Sequence, residues 1–269
     1  MAGRWTVNLL LLILVTVLGI AVRQELASGL KEETLTGLDP KAITEVAIER
    51  PGKPAIRLSR TPNGWHMETP YAVAADSTRV DRLVLIAATP VHRSLPESAR
   101  PDLLGLSPER ARLTLDGLAL RFGGTEPIGH RRYVAVGDQV HLIDDGFEHH
   151  LTAPATAYVS RRLLPTGFRV DSGTLDGQPL AAAALAILGG LTAARVLPAE
   201  EELSGRLLSL RAQGGGHAIR FLVSADGRRW TRVDLRLSYL LAEAPALQTE
   251  ERGRTPPRSI APFATAGHQ

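Results

Sequence analysis

Residues Trp5 to Val22, WTVNLLLLILVTVLGIAV, form an apolar run with no charge inside it, bracketed by Arg4 and Arg23. As a helix rising 1.5 Å per residue the run is about 27 Å long, close to the minimum for crossing a hydrocarbon core. A globular helix keeps one polar face, and this run has none, Asn8 being its most polar residue. A signal peptide is the competing assignment, since Gly19-Ile20-Ala21 offers small residues where a signal peptidase cuts, after Ala21. The run is longer than a usual signal-peptide core, and Arg23 follows directly, which favours an uncleaved anchor with the lipid bilayer as its partner. The flanks are nearly balanced in charge, with Arg4 and the α-amino group on one side and Arg23 and Lys31 on the other. A short basic tail before one span and a long domain defaults to tail in, domain out. In a bacterium this default makes the expected place the inner membrane, single-pass, with the C-terminal portion periplasmic.

Beyond this run the chain has the composition of folded protein, since 44% of its residues are hydrophobic and 22% charged. Zero cysteines exclude a disulfide scaffold and thiol catalysis. Net charge is +3, and of 31 cationic residues only Lys31, Lys41 and Lys53 are lysines, so arginine carries the basic character. Acids are interleaved with it, as in Glu109-Arg110 and Asp226-Gly227-Arg228-Arg229, and no stripe or arm emerges of the kind that tracks nucleic acid.

Residues 24–40 are polar and turn-rich and read as a stalk. The period then changes to two. Ile43–Glu49 places Val46 and Ile48 on one face, Ala55–Ser59 does so with Ile56 and Leu58, and Pro51-Gly52 lies between as a turn. A strand at Trp65 and Met67 comes after Asn63-Gly64. Asp76–Ala88 is helical, capped at Asp76 or Ser77, with Val80, Leu83, Val84 and Ala87 as its apolar stripe. Four strand-like runs come next, RLTLD, LALRFG, RRYVAVG and QVHLID, with Asp116-Gly117 and Gly137-Asp138 as hairpin turns. Ala155–Leu164 reads as a short helix ended by Pro165 and Gly167.

The second half repeats the first. Leu83–Pro96 lines up with Leu185–Pro198 at an offset of 102, Leu120-Arg121-Phe122 with Ile219-Arg220-Phe221 at 99, and Arg131-Arg132-Tyr133 with Arg228-Arg229-Trp230 at 97. Shorter loops in the second copy would shrink the offset in this way. The Ala-rich run from Leu180 to Ala194 is then a core helix leading into a strand. The expected fold class is α+β: an N-terminal transmembrane helix followed by two related antiparallel-sheet-plus-helix units. The layout is an anchor over 1–23, a stalk over 24–40, a first α+β unit over 41–166, a second, shorter unit over 167–247 and a disordered tail over 248–269.

The strings Arg112–Gly124, Gly129–Val136, Gln139–Leu142 and Ser160–Pro165, with Val46–Arg50 and Asn63-Gly64-Trp65, resemble the bacterial domain-of-unknown-function family 4340. The likeness covers about Ile43 to Pro165 and is weak in the second half. It implies a single-pass or exported envelope protein, with an ABC-type transport system as possible company, and it brings no catalytic residues.

Chemistry-bearing motifs are sparse. There is no G-x-S-x-G or H-E-x-x-H, and Gly123-Gly124 and Gly214-Gly215-Gly216 lack phosphate-loop spacing. Adjacent His149-His150 diverge on a helix, and Asp144-Asp145-Gly146 beside His141 is first a turn, so neither predicts a metal site. Glu200-Glu201-Glu202 marks the solvent side of a loop or the first turn of a helix. No cofactor is expected. The arginines at matching places in the two halves, Arg121, Arg131, Arg132, Arg220, Arg228 and Arg229, are the candidate anion- or partner-binding residues. Cross-strand pairing with acids such as Asp116 or Asp234 is the structural alternative. The functional expectation is a non-catalytic, membrane-anchored periplasmic interaction or accessory protein of an envelope or ABC-type transport complex. The alternative is a periplasmic ligand-binding protein or hydrolase with a site in the groove between the two units.

Overall fold

The computed structural model describes residues 2–28, 33–95, 100–215 and 218–250. The chain divides into two compact units, residues 1–160 and 161–269. The α+β class holds, with one antiparallel sheet in each unit.

Helix α1 spans Ala2–Ser28. Its described side chains are Trp5, Leu9 and residues 11–23, all exposed, with the apolar ones bare on every side of the helix. The longest run of α1 with described side chains is 13 residues. Among the described residues no helix is long and apolar enough to cross a membrane.

Strands β1 (Glu45–Arg50), β2 (Lys53–Thr61), β3 (Gly64–Thr69) and β4 (Val73–Ala74) open the first unit. Helix α2 (Ser77–Val84) comes after them, then a 3-10 turn over Leu85–Ala88 and strand β5 (Arg93–Leu95). Next come β6 (Ala111–Leu115), β7 (Leu118–Thr125), β8 (Arg132–Val136) and β9 (Gln139–Ile143), with a one-turn helix α3 (Glu148–Leu151) behind them. The spatial order is β4-β3-β2-β1-β6-β7-β8-β9-β5. Alternation predicts the faces correctly: Val46, Ile48, Ile56, Leu58, Met67, Leu113, Leu115, Leu120 and Phe122 are buried, as are Val80, Leu83 and Val84 of α2. Asp76 caps α2, accepting from the Arg79 N–H, and Asp81 ties α2 to β3 by accepting from the Trp65 indole N–H at 2.9 Å.

The second unit runs β10 (Val170–Leu175), β11 (Gln178–Pro179), α4 (Ala182–Leu188), β12 (Arg195–Pro198), β13 (Arg206–Ala212), β14 (Ile219–Val223), β15 (Arg229–Arg232) and β16 (Leu237–Leu240). The order is β11-β10-β13-β14-β15-β16-β12. The expected core helix is present, and it stops at Gly189 because the Gly189-Gly190 pair costs helix propensity. At the centre the Phe221 ring meets Trp230 and Tyr239 edge-on, with centroids 5.6 and 6.5 Å away.

Both units share one connectivity. A hairpin (β1-β2; β10-β11) leads to a helix (α2; α4), and the helix leads to an edge strand (β5; β12) paired antiparallel with the last strand (β9; β16). A four-stranded meander then starts beside the first strand of the hairpin. The first unit adds β3 and β4 at the far edge.

Several expected boundaries move. Part of the stalk belongs to the first unit: Leu35 and Thr36 are buried, and their N–H groups donate to the carbonyls of Thr89 and Ala87. Over Ala155–Leu164 only Ala155–Tyr158 forms a 3-10 turn, and Arg161–Leu163 instead bond to Leu191–Ala193, so the chain enters the second unit at Arg161. Of the expected disordered tail, Gln248–Glu250 pair with Pro179–Ala181 along the edge of β11, and residues 251–269 lie outside the described residues.

Candidate functional site

The six arginines do not form one site. Arg132 stands on β8 with its side chain directed inward, at 5% exposure. Its Nε and Nη2 donate to Asp145 at 3.1 and 2.5 Å, its Nη1 donates to the Gly123 carbonyl at 2.9 Å, and Glu148 lies 3.2 Å away. Burial disfavours its charge, but Asp145 and Glu148 outweigh that and hold the guanidinium above its ordinary pKa. All of this hydrogen bonding is internal, so Arg132 is a structural ion and not a surface anion receptor. Arg131 is half-exposed, 3.8 Å from Asp144. Arg121 and Arg220 make no ion pair among the described residues, and they sit on sheets in different units.

Strand register also shifts the expected alignment of the halves. Phe122 faces Val134, and Phe221 faces Arg232, so Arg132 occupies the position of Trp230, and Arg131 that of Arg229. The slip of one residue reverses faces. Arg132 points to the core side of its sheet, whereas Arg229 and Thr231 point to the side opposite Trp230.

Arg228 and Arg229 do come together, at a pocket of about 500 Å³ in the second unit. Its floor is Thr231 of β15 and Ser238 of β16, which face each other across the ladder and share a hydrogen bond of 2.8 Å. Both are more than nine-tenths buried. Its walls include Leu203, Leu240 and Leu241, and its rim carries Glu200, Glu202, Asp226 and Ser224. The Arg229 guanidinium pairs with Glu200. Asp226 accepts from the Ser224 hydroxyl at 2.5 Å and from the Arg228 N–H at 3.1 Å, and these bonds hold its carboxyl below the usual range. Neither Arg228 nor Glu202 has an ion-pair partner among the described residues. The Arg228 charge also acts on Asp226, so the pocket offers hydroxyls at its base and charges of both signs at its mouth.

Sequence reasoning missed Thr231 and Ser238. The available signal is their small polar character on the face opposite Trp230, Leu237 and Tyr239, but register is needed to set them side by side. Glu200 and Glu202 lie on a loop after β12, as their run suggests. Neither named acid pairs across strands with one of the six: Asp234 pairs with Arg232, two residues before it, and Asp116 accepts from the N–H groups of Thr44 and Glu45.

Among the described residues no three histidines or acids gather as a metal site. His141 meets Ser94 at 3.0 Å, Asp144 meets His92 at 2.8 Å, and the rings of His149 and His150 lie 4.0 Å apart. No family model, no curated protein and no solved structure matches the chain.

Proposed function

We propose that this chain is a non-catalytic, membrane-anchored interaction protein. On this reading α1 holds two β-sheet units at the periplasmic face of a bacterial inner membrane, as an accessory to an envelope or transport complex. The observation that carries the reading is the bareness of α1. Leu11 to Val22 contribute exposed Leu, Ile and Val side chains all round the helix, each of the nine more than half exposed. An all-round apolar helix left in water is costly, and lipid is the environment that removes the cost. The shared connectivity of the two sheets supports a duplicated unit.

The test is fractionation of the full chain and of residues 24–269 from a bacterial host. The expected result is a full chain that stays with membranes through alkaline carbonate and leaves them in detergent, with the shorter chain released in folded form. A full chain found in the soluble fraction would overturn the anchor. Mild-detergent purification from the native host, with co-purifying proteins identified at fixed stoichiometry, tests the accessory role. The ligand-binding alternative draws its support from the pocket of the second unit.

A further inference from the structure

The two units treat the same place differently. In the first, Tyr133 faces Leu142 across β8 and β9, the register equivalents of Thr231 and Ser238. There the connection between β5 and β6 folds back, and Leu104 and Leu106 pack with Tyr133, Ala135, Val140 and Leu95. The Leu104 carbonyl accepts from the Gly124 N–H at 2.7 Å, and Gly123 leaves room for this approach, since a Cβ there would lie 2.5 Å from that oxygen. The first unit thus covers its second face with its own polypeptide. In the second unit the matching connection is only residues 199–205, and the pocket lies open above Thr231 and Ser238.

The floor has also changed chemistry, from Tyr and Leu to two hydroxyls. Thr231 and Ser238 own two hydroxyl protons between them, and their mutual hydrogen bond uses one. Neither side chain has another hydrogen bond among the described residues, so one donor at a buried position is left for an occupant. A buried donor without an acceptor is costly, and a ligand carbonyl or carboxylate would satisfy it. The mouth carries Arg228, whose charge acts on Asp226 without a close ion pair, and Glu202, while Leu203, Leu240 and Leu241 supply apolar wall.

We propose that this pocket binds a short peptide bearing both a carboxylate and an ammonium group. The carboxylate would meet Arg228, the ammonium Glu202, a main-chain carbonyl the hydroxyl floor, and an aliphatic side chain the leucine wall. The volume suits a ligand of two or three residues. Every group involved belongs to the second unit, so the binding stands whether or not α1 enters a membrane.

The experiment is calorimetric titration of the full chain in detergent micelles with the free tripeptide Leu-Gly-Leu, beside its acetylated and amidated form as control. The expected result is one site per chain, with a Kd on the order of 1 mM or tighter. The blocked peptide should bind about tenfold more weakly, and Arg228→Ala and Glu202→Ala should each weaken the free peptide several-fold. The pair Thr231→Tyr with Ser238→Leu, which gives the second unit the floor of the first, should abolish binding with the near-ultraviolet dichroism retained. The two rim variants carry the test if that pair fails to fold. No saturable binding up to about 10 mM peptide, or equal binding by free and blocked peptides and by both rim variants, would overturn the proposal.

Discussion

The Arg132 guanidinium and the Asp145 carboxylate form a two-pronged ion pair, Nε to Oδ1 at 3.1 Å and Nη2 to Oδ2 at 2.5 Å, with the arginine side chain at 6% exposure. The pair fastens the segment after β9 to the start of β8, and Arg132 Nη1 extends the link to β7 through Gly123. Removing one partner strands the other at low exposure. Arg132→Ala should therefore cost about 3 to 5 kcal/mol. Arg132→Lys should recover only part of this, because an ammonium cannot serve three acceptors in fixed directions. Urea denaturation checks it, and an unchanged midpoint for Arg132→Ala would remove the pair from the stability of the unit.

Phe122 is 2% exposed on β7 and faces Val134. Truncation to alanine should cost about 3 to 5 kcal/mol, as for other buried aromatic deletions. Thermal or chemical unfolding measures this directly, and a loss below about 1 kcal/mol would contradict the register of β7.

Gly123 is the point where the connection carrying Leu104 and Leu106 touches the sheet. An added Cβ would stand 2.5 Å from the Leu104 carbonyl oxygen and 2.9 Å from Leu106 Cγ. Gly123→Ala should destabilise by about 1 to 3 kcal/mol and loosen residues 100–106. Limited proteolysis should then cut the variant in that segment faster than the parent, and equal cleavage would refute the close approach.

His141 and His150 are both held below the ordinary imidazole pKa, in each case chiefly by burial. At His150 the positive neighbours His149, Arg79 and Arg82 add to the effect, whereas at His141 Glu33 opposes it. A base with a lowered folded pKa binds fewer protons folded than unfolded. Its stabilising contribution is full above the unfolded value of about 6.5 and is lost as pH falls from there toward the folded value. Melting temperature should fall between pH 7.5 and pH 5, and the pair His141→Asn with His150→Gln should flatten that slope. A slope unchanged in the double variant would assign the pH dependence elsewhere.

The order of β1, β2, β3, α2 and β6 to β9 was legible in the sequence because two local periods, two for strands and 3.6 for helices, arise from backbone geometry alone. Val46 with Ile48, Leu113 with Leu115 and the stripe on α2 all fall inward as read. Turns at Asp116-Gly117 and at Gly137 were equally legible, since these residues take positive φ at low cost. Similarity of strings matched strand β7 to β14 and β8 to β15, yet set Arg131-Arg132 against Arg228-Arg229 one residue out of register. Strand register is set by hydrogen bonding across the ladder, and a slip of one residue that composition barely registers turns every side chain over. For the same reason Arg132 read as a surface cation until Asp145 and Glu148 were brought to it. Only the pairing of β15 with β16 sets Thr231 beside Ser238. The sequence by itself determined the apolar run, helix α2 and the alternating strands of the first unit. The tertiary structure alone decided which polar side chains are used up inside the fold and which are left facing a pocket, because that depends on partners distant in the chain.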